Sequence, residues 1–477
     1  MTTVDFMAMS PLLAVALGAV GTLVAIAIRR SRGTTSALAL ASLAAALGLT
    51  VTAFGVAPRQ VTPLLLIDGY GVFFLGLLLL ASLVALILSM VYFRGWRGQV
   101  EEYYTLFLLS TLGAGVMVVS NHFASFFLGL ELLGIPLYTL IAYCRDNRNC
   151  VEAGFKYLIL AGVGSALLLM GMALVYAAIG SLSFEDLSRA TFHSLSMPGW
   201  ALGGMALIIC GLGFKLALAP MHMWAADIYE GAPFPITSYV ATVSKGAVLV
   251  LLLRYLSPTL EGEGVARTAL SFLAVASMFV GNLLALRQDN LKRMLGYSSI
   301  AHMGYLLVAV LATRHTGTDA VGFYLTAYFV SILAALGVLT VLSSPHTEIQ
   351  TIADLRALAW RRPGLGMTMT VSMLSLAGIP LTVGFFGKFY VLLSAVDASL
   401  WVLVAALVVN SVIGLFYYLR VIAALFAEPA GEPLTPPAPV SLMGSVVLSL
   451  LTMAMIAMGA YPSPLILLIG KMTSDRL

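Results

Sequence analysis

The sequence predicts an all-α polytopic membrane protein of about 14 transmembrane helices, with two inverted five-helix repeats that each contain a proline-broken helix. Three observations carry that expectation. Apolar runs of the ~20 residues needed to cross a ~30 Å hydrocarbon core recur along the chain with short polar breaks. Of the 477 residues 60% are hydrophobic and 10% charged, with a mean hydropathy of +1.00, which excludes an ordinary soluble domain. Finally, isolated charges and prolines interrupt the middle runs in two successive sets.

The first run, 10–29, follows the segment MTTVDFMAMS, which lacks the basic region of a cleavable signal, and ends in Arg29, Arg30 and Arg32. It reads as a retained helix with its basic end in the cytoplasm. Runs 35–56 and 71–92 complete an N-terminal segment, 1–103, with almost no buried charge. A first set of spans follows over 104–257: 104–120, 122–143 with Glu131, 153–179 with Lys156, 200–224 with Lys215 and Pro220, and 236–257 with Lys245. The second set, over 258–426, comprises 266–286, 296–313 with His302, 319–343, 367–394 with Pro380 and Lys388, and 400–426. A last helix, 439–469, falls in the remainder, 427–477. Five is odd, so a tandem duplication of five helices inserts its halves in opposite orientations, the plan of transporters whose sites lie at the midplane on discontinuous helices.

Charge orients the chain and narrows its function. With both termini outside, 14 of the 25 basic residues fall in cytoplasmic turns. Arg59, Arg189, Arg254, Arg267, Arg314, Lys471 and Arg476 fall outside, and Lys156, Lys215, Lys245 and Lys388 stay within helices. The formal net charge of +4 is small for the size and does not suggest nucleic acid. Cys144, Cys150 and Cys210 show no paired spacing, so no disulfide framework, metal site or redox centre is expected.

The run starting at Gly211, GLGFKLALAPMHMWAADIYEGAPFPITSYVATVSKGAVLVLLL, organises the rest. A lysine at bilayer depth costs about 2.5–3.5 kcal/mol on insertion scales, so Lys215 and Lys245 are expected to line a buried polar path. If their helices meet near 224–236, each lies roughly 13 Å from the shared loop, close to the midplane. Pro220 leaves backbone carbonyls near Leu216 without partners, which lipid does not tolerate. Two prolines, Pro233 and Pro235, suit a rigid turn between the helices, and Asp227 and Glu230 read most simply as solvated loop residues.

Glu131 is an acid in the apolar helix FFLGLELLGIPLYTLIAY, either a fixed partner of one lysine or one half of a pair that opens and closes. Desolvation disfavours the charged form of either group and a near partner restores it, so a glutamate and lysines together make a proton relay possible. Lys388 follows Pro380 by eight residues, among Phe385, Phe386 and Phe389, while Lys156 is near a helix end and could snorkel. His302 and His222, the latter seven residues after Lys215 and so on one helical face with it, are possible intermediates or simply hydrogen-bonded side chains. Ser298, Ser299, Tyr297 and Tyr305 could extend such a path.

At GLGFKLALAPMHMWAADIYEGAPFPITSYVATVSK, NLKRMLGYSSIAHMGYLLVA and SLAGIPLTVGFFGKFYVL the chain resembles the antiporter-like membrane subunits of respiratory complex I, a family shared with Mrp-type cation/proton antiporters. The length and Lys388 are similar to the N type rather than to the L type, with its long C-terminal lateral helix, or the M type, with a glutamate in that broken helix. The resemblance implies a fourteen-helix fold with inverted five-helix repeats and a midplane proton path through Glu131, Lys215, Lys245 and Lys388, with Lys156 and His302 as intermediates. It also implies a bacterial inner-membrane location beside other antiporter-like and small membrane subunits. NADH, flavin, iron–sulfur clusters and quinone are then expected in other subunits, and this chain binds no cofactor. A stand-alone Na⁺(K⁺)/H⁺ antiporter, a metabolite transporter and a purely structural subunit are the alternatives.

Overall fold

The computed structural model describes residues 2–187, 198–256, 264–312, 317–428 and 440–473. Arg189, Arg314, Arg476 and the predicted junctions at 257–258 and 438–439 lie outside the described residues. Helices α1 (Thr3–Ile28), α2 (Arg32–Gly55) and α3 (Gly69–Tyr92) come first, with a short hairpin of β1 (Arg59–Thr62) and β2 (Leu65–Ile67) between α2 and α3. Then follow α4 (Glu101–Val118), α5 (Phe123–Ile141), α6 (Arg148–Ile179), α7 (Gly199–Leu216), α8 (Met223–Gly231) and α9 (Phe234–Leu256). The remainder is α10 (Val265–Leu286), α11 (Leu291–Leu311), α12 (Gly317–Val341), α13 (Pro363–Ala377), α14 (Val383–Asp397), α15 (Trp401–Phe426), α16 (Leu442–Ala460) and α17 (Ser463–Thr473).

Among the described residues, twelve helices are long and apolar enough to cross a membrane. Two predicted spans are not among them. The span 104–120 is α4, whose first turn carries Glu101 and Glu102, and 367–394 is divided into α13 and α14. The predicted last span, 439–469, is likewise two helices, parted at Tyr461 and Pro462.

Both proline-bearing segments are interrupted, and side chains supply partners to backbone groups at each break, as a low-dielectric surrounding demands. Helix α7 ends at Leu216, with Ala217 left-handed at φ 58°. The Phe214 carbonyl accepts from Trp224 Nε1 at 2.8 Å, and the Ala219 amide donates to Ser277 Oγ of α10 at 2.9 Å. Helix α13 ends at Gly378, φ 84°, where the Ala377 carbonyl accepts from Lys388 Nζ at 2.8 Å.

This geometry corrects two expectations. The chain unwinds between Leu216 and Met223, so Lys215 and His222 do not share a helical face. The stretch 224–236 is not an extended loop: α8 runs to Gly231 and α9 starts at Phe234, because Pro233 and Pro235 fit the first turn of a helix, where a missing N–H is no loss.

Three helices form the centre. The most apolar window of α9 is 100% buried, that of α11 94% and that of α12 89%, against 33% for α1 and 22% for α2. Polar side chains on α9, α11 and α12 are therefore the most fully enclosed of the described helices.

Candidate functional site

Lys245 is fully buried on α9, directly after a π-helical turn, Val240–Ser244. Such turns shift side chains out of the α-helical register and recur at functional sites. Its Nζ donates to Ser299 Oγ of α11 at 2.7 Å and lies 5.2 Å from the Tyr229 ring and 6.0 Å from the Trp224 ring. Ser299 also accepts from Tyr229 at 3.0 Å and Tyr328 at 2.8 Å, so two tyrosines and the lysine converge on one hydroxyl.

One turn further along α11, His302 bonds Tyr324 through Nδ1 at 2.7 Å and Tyr418 through Nε2 at 3.0 Å. Tyr418 in turn bonds Ser298. His302, Tyr324, Tyr328, Ser331, Ser375 and Lys388 line a single small cavity. Lys388 enters it from α14 with its Nζ 5.2 Å from the Tyr305 ring. Lys245, His302 and Lys388 thus meet along one face of α11.

The other predicted residues fall differently. Lys215 is buried at the end of α7, and no hydrogen bond joins it to Lys245 among the described residues. Glu131 is half-buried on α5 and accepts from Ser165 of α6 at 2.7 Å; it lies within electrostatic reach of Lys215 but is not ion-paired with it. Lys156 is partly exposed, paired with Glu152 at 2.9 Å and Asp227 at 3.1 Å. His222 sits in the break before α8. Of the supporting residues, Ser298, Ser299 and Tyr305 belong to the cluster, while Tyr297 is half-buried away from it.

Several groups escaped the sequence reading. Asp227 and Glu230 remain partly exposed but stand on α8 rather than in a loop, and Arg293 bridges both, at 2.8 and 2.7 Å. Lys292, expected in a cytoplasmic turn, is 2% exposed and bonds Glu348 at 2.6 Å, whose other oxygen accepts from Tyr92 at 2.6 Å. Arg254, expected at the outer surface, is buried in a two-pronged bond with Asp68 at 2.7 and 3.0 Å. A charged residue beside a turn carries no signal of burial, and the partners lie 56 and 186 residues away.

Comparison with known proteins matches residues 120–414 to the family described as NADH:quinone oxidoreductase/Mrp antiporter, transmembrane. Subunit N of the NADH-quinone oxidoreductase of Ectopseudomonas mendocina is 44% identical, over 98% of this chain and 96% of its own length. A chain of respiratory complex I from Thermus thermophilus superposes with a TM-score of 0.82 at 32% identity, covering 96% of this chain and 98% of that one. A chain of the Mrp complex from Dietzia superposes with a TM-score of 0.87 over 100% and 98%, and at 20% identity that likeness concerns fold alone.

Proposed function

The chain belongs to the family of NADH:quinone oxidoreductase and Mrp antiporter membrane subunits, and from that membership we propose that it is a proton-translocating membrane subunit of an NADH-quinone oxidoreductase, in the position subunit N takes in its relatives. Electron transfer from NADH to quinone then takes place in other subunits, which hold the NADH, flavin, iron–sulfur clusters and quinone. Neighbouring antiporter-like and small membrane subunits deliver the driving change. In this reading α4 and the α13–α14 pair bring the crossings to fourteen, with repeats over 104–257 and 258–426 inserted in opposite senses and both termini outside.

The observation that carries the reading is the convergence of Lys245, His302 and Lys388 on the lipid-insulated face of α11. Among the described residues, the lysines there have no counter-charge in contact, and hydroxyls and an imidazole lie between them. Protons pass from Lys215 and Lys245 toward Lys388, with His302 as the link, Lys156 at the entrance and His222 beside the α7 break. Glu131 sets the occupancy of Lys215: when it approaches, the ammonium is stabilised, and when it withdraws the proton is released. One charge moved across 100 mV costs about 2.3 kcal/mol, which sets the scale of the pairing change required.

Proton pumping measured against electron transfer in membranes carrying Lys215→Ala, with assembly checked on a native gel, tests the proposal. Loss of pumping together with NADH oxidation in an assembled complex is expected. Normal values for both, with loss of a sodium- or potassium-driven pH change, would instead identify an independent antiporter.

A further inference from the structure

We propose that Glu348 and Lys292 form the loading site that delivers protons to Lys245 from the basic-rich face of the protein, with Tyr229 as the gate between them. The inference rests on the relay reading above. Lys292 and Ser299 are seven residues apart on α11, so they lie on one helical face about 10 Å apart along its axis. Ser299 is the residue that holds Lys245 Nζ. Between them sits Gly296, and the Tyr229 ring lies so close that a Cβ added there would meet it at 3.3 Å. The fully buried Tyr229 thus covers the gap while its hydroxyl occupies Ser299.

The loading pair is graded in access. The Glu348 side chain keeps 13% of its surface exposed and that of Lys292 only 3%. An open pocket lined by Trp96, Cys144, Asp146, Arg148 and His346 lies on the same face, and Cys144 is within electrostatic reach of both members of the pair. Groups facing the pair are Tyr92 from α3, Cys144 from the α5–α6 turn, Cys150 from the first turn of α6, and the Glu230 and Ala232 carbonyls, which accept from Lys292 at 3.2 and 2.7 Å. Those carbonyls end α8, the helix that carries Tyr229, so the loading lysine and the gate are mechanically joined.

A proton taken up by the Glu348 carboxylate passes to the Lys292 amine, regenerating the carboxylate. When Tyr229 leaves Gly296, water entering the opened gap takes a proton from the Lys292 ammonium and hands one on to the neutral Lys245 amine, and Lys292 returns to the amine, ready for the next proton.

The test uses the intact oxidoreductase in membrane vesicles, reading protons moved per NADH oxidised, with assembly followed on native gels. Glu348→Gln is expected to lower the ratio at least twofold in an assembled complex, and Glu348→Asp to restore most of it, which a merely structural contact would not do. Gly296→Ala alters no charge but presses on the Tyr229 ring, and a ratio at least twofold lower is expected; it decides the matter if Glu348→Gln fails to assemble. Unchanged ratios in the assembled variants, beside a loss in Lys245→Ala, would overturn the loading site alone. An unchanged ratio in Lys245→Ala would overturn the relay itself.

Discussion

Two kinds of buried charge occur in this protein, and they differ in how much the sequence reveals. Glu131, Lys215, Lys245 and Lys388 stand in apolar windows, where a charge is conspicuous because its insertion cost demands a reason. Arg254 and Lys292 stand at helix ends, where flanking turns make a charge ordinary, and only the fold brings Asp68 and Glu348 to them. Asp68 also caps α3, accepting from the Gly71 amide at 2.7 Å, so the Arg254 bond ties the end of α9 to the start of α3. Removing one member of a buried pair strands the other, at a cost of about 3–5 kcal/mol. Arg254→Ala is therefore expected to lower the thermal midpoint of the detergent-extracted protein markedly. Arg254→Lys should recover only part, since an ammonium cannot reproduce the planar two-pronged bond. Equal midpoints for wild type and Arg254→Ala would mean that desolvation cancels the attraction.

At the scale of elements, the broken helices were legible from Pro220 and Pro380, but the groups that satisfy the breaks, Trp224, Ser277 and Lys388, were not, because they arrive from later turns or other helices. The α6–α7 crossing depends on missing side chains. A Cβ on Gly171 would meet the Gly204 carbonyl at 2.6 Å, and one on Gly204 the Gly171 carbonyl at 2.9 Å. These helices carry Ser165, which holds Glu131, and Lys215. Gly171→Val should force them apart, costing about 1–3 kcal/mol as overpacking does and lowering the pumping ratio through the Glu131–Lys215 spacing. A normal ratio with normal stability would show that the spacing is unimportant. In the turn between α12 and α13, burial opposes ionisation of Asp354, but bonds from the Thr351 and Gln350 amides at 2.8 and 3.0 Å outweigh it and hold the carboxyl below the usual range. A group depressed in the folded state stabilises above its unfolded value, near pH 4, and loses that contribution as pH falls through the folded value. Asp354→Ala should therefore destabilise at pH 7 and approach wild type in acid, which thermal unfolding at the two pH values would reveal.

For the whole molecule, the periphery is apolar, an inversion of a soluble domain's surface, and the buried polar groups are set into an otherwise apolar centre. Helices α1, α2 and α6 expose large apolar residues such as Leu17, Val51, Phe155 and Val163, while lysines, histidine and tyrosines are buried along α9, α11 and α12. That inversion was readable from composition and window hydropathy, since lipid offers apolar side chains no penalty and polar ones no partner. Which helices are central was not, because peripheral and central spans are similarly apolar, with hydropathy 2.0 for both α2 and α12. Orientation rests on the basic residues alone. The turns after α1, α3, α5, α8, α10 and α12 are bound to one another on one face, by bonds such as Arg32 to the Trp96 carbonyl, Tyr92 to Glu348 and Arg293 to Glu230. Arg59, Arg267 and Lys471 belong to turns and helix ends of the opposite face. Basic residues accumulate on the cytoplasmic side, so the bound face should be cytoplasmic and the β-hairpin face external. Gln60 in the hairpin and Gln99 before α4 are both exposed. In a background with Cys144, Cys150 and Cys210 replaced by serine, Gln60→Cys should react with an impermeant maleimide on intact cells, and Gln99→Cys only after lysis. The opposite pattern would invert the protein in the membrane and turn the Glu348–Lys292 pair from a loading site into an exit.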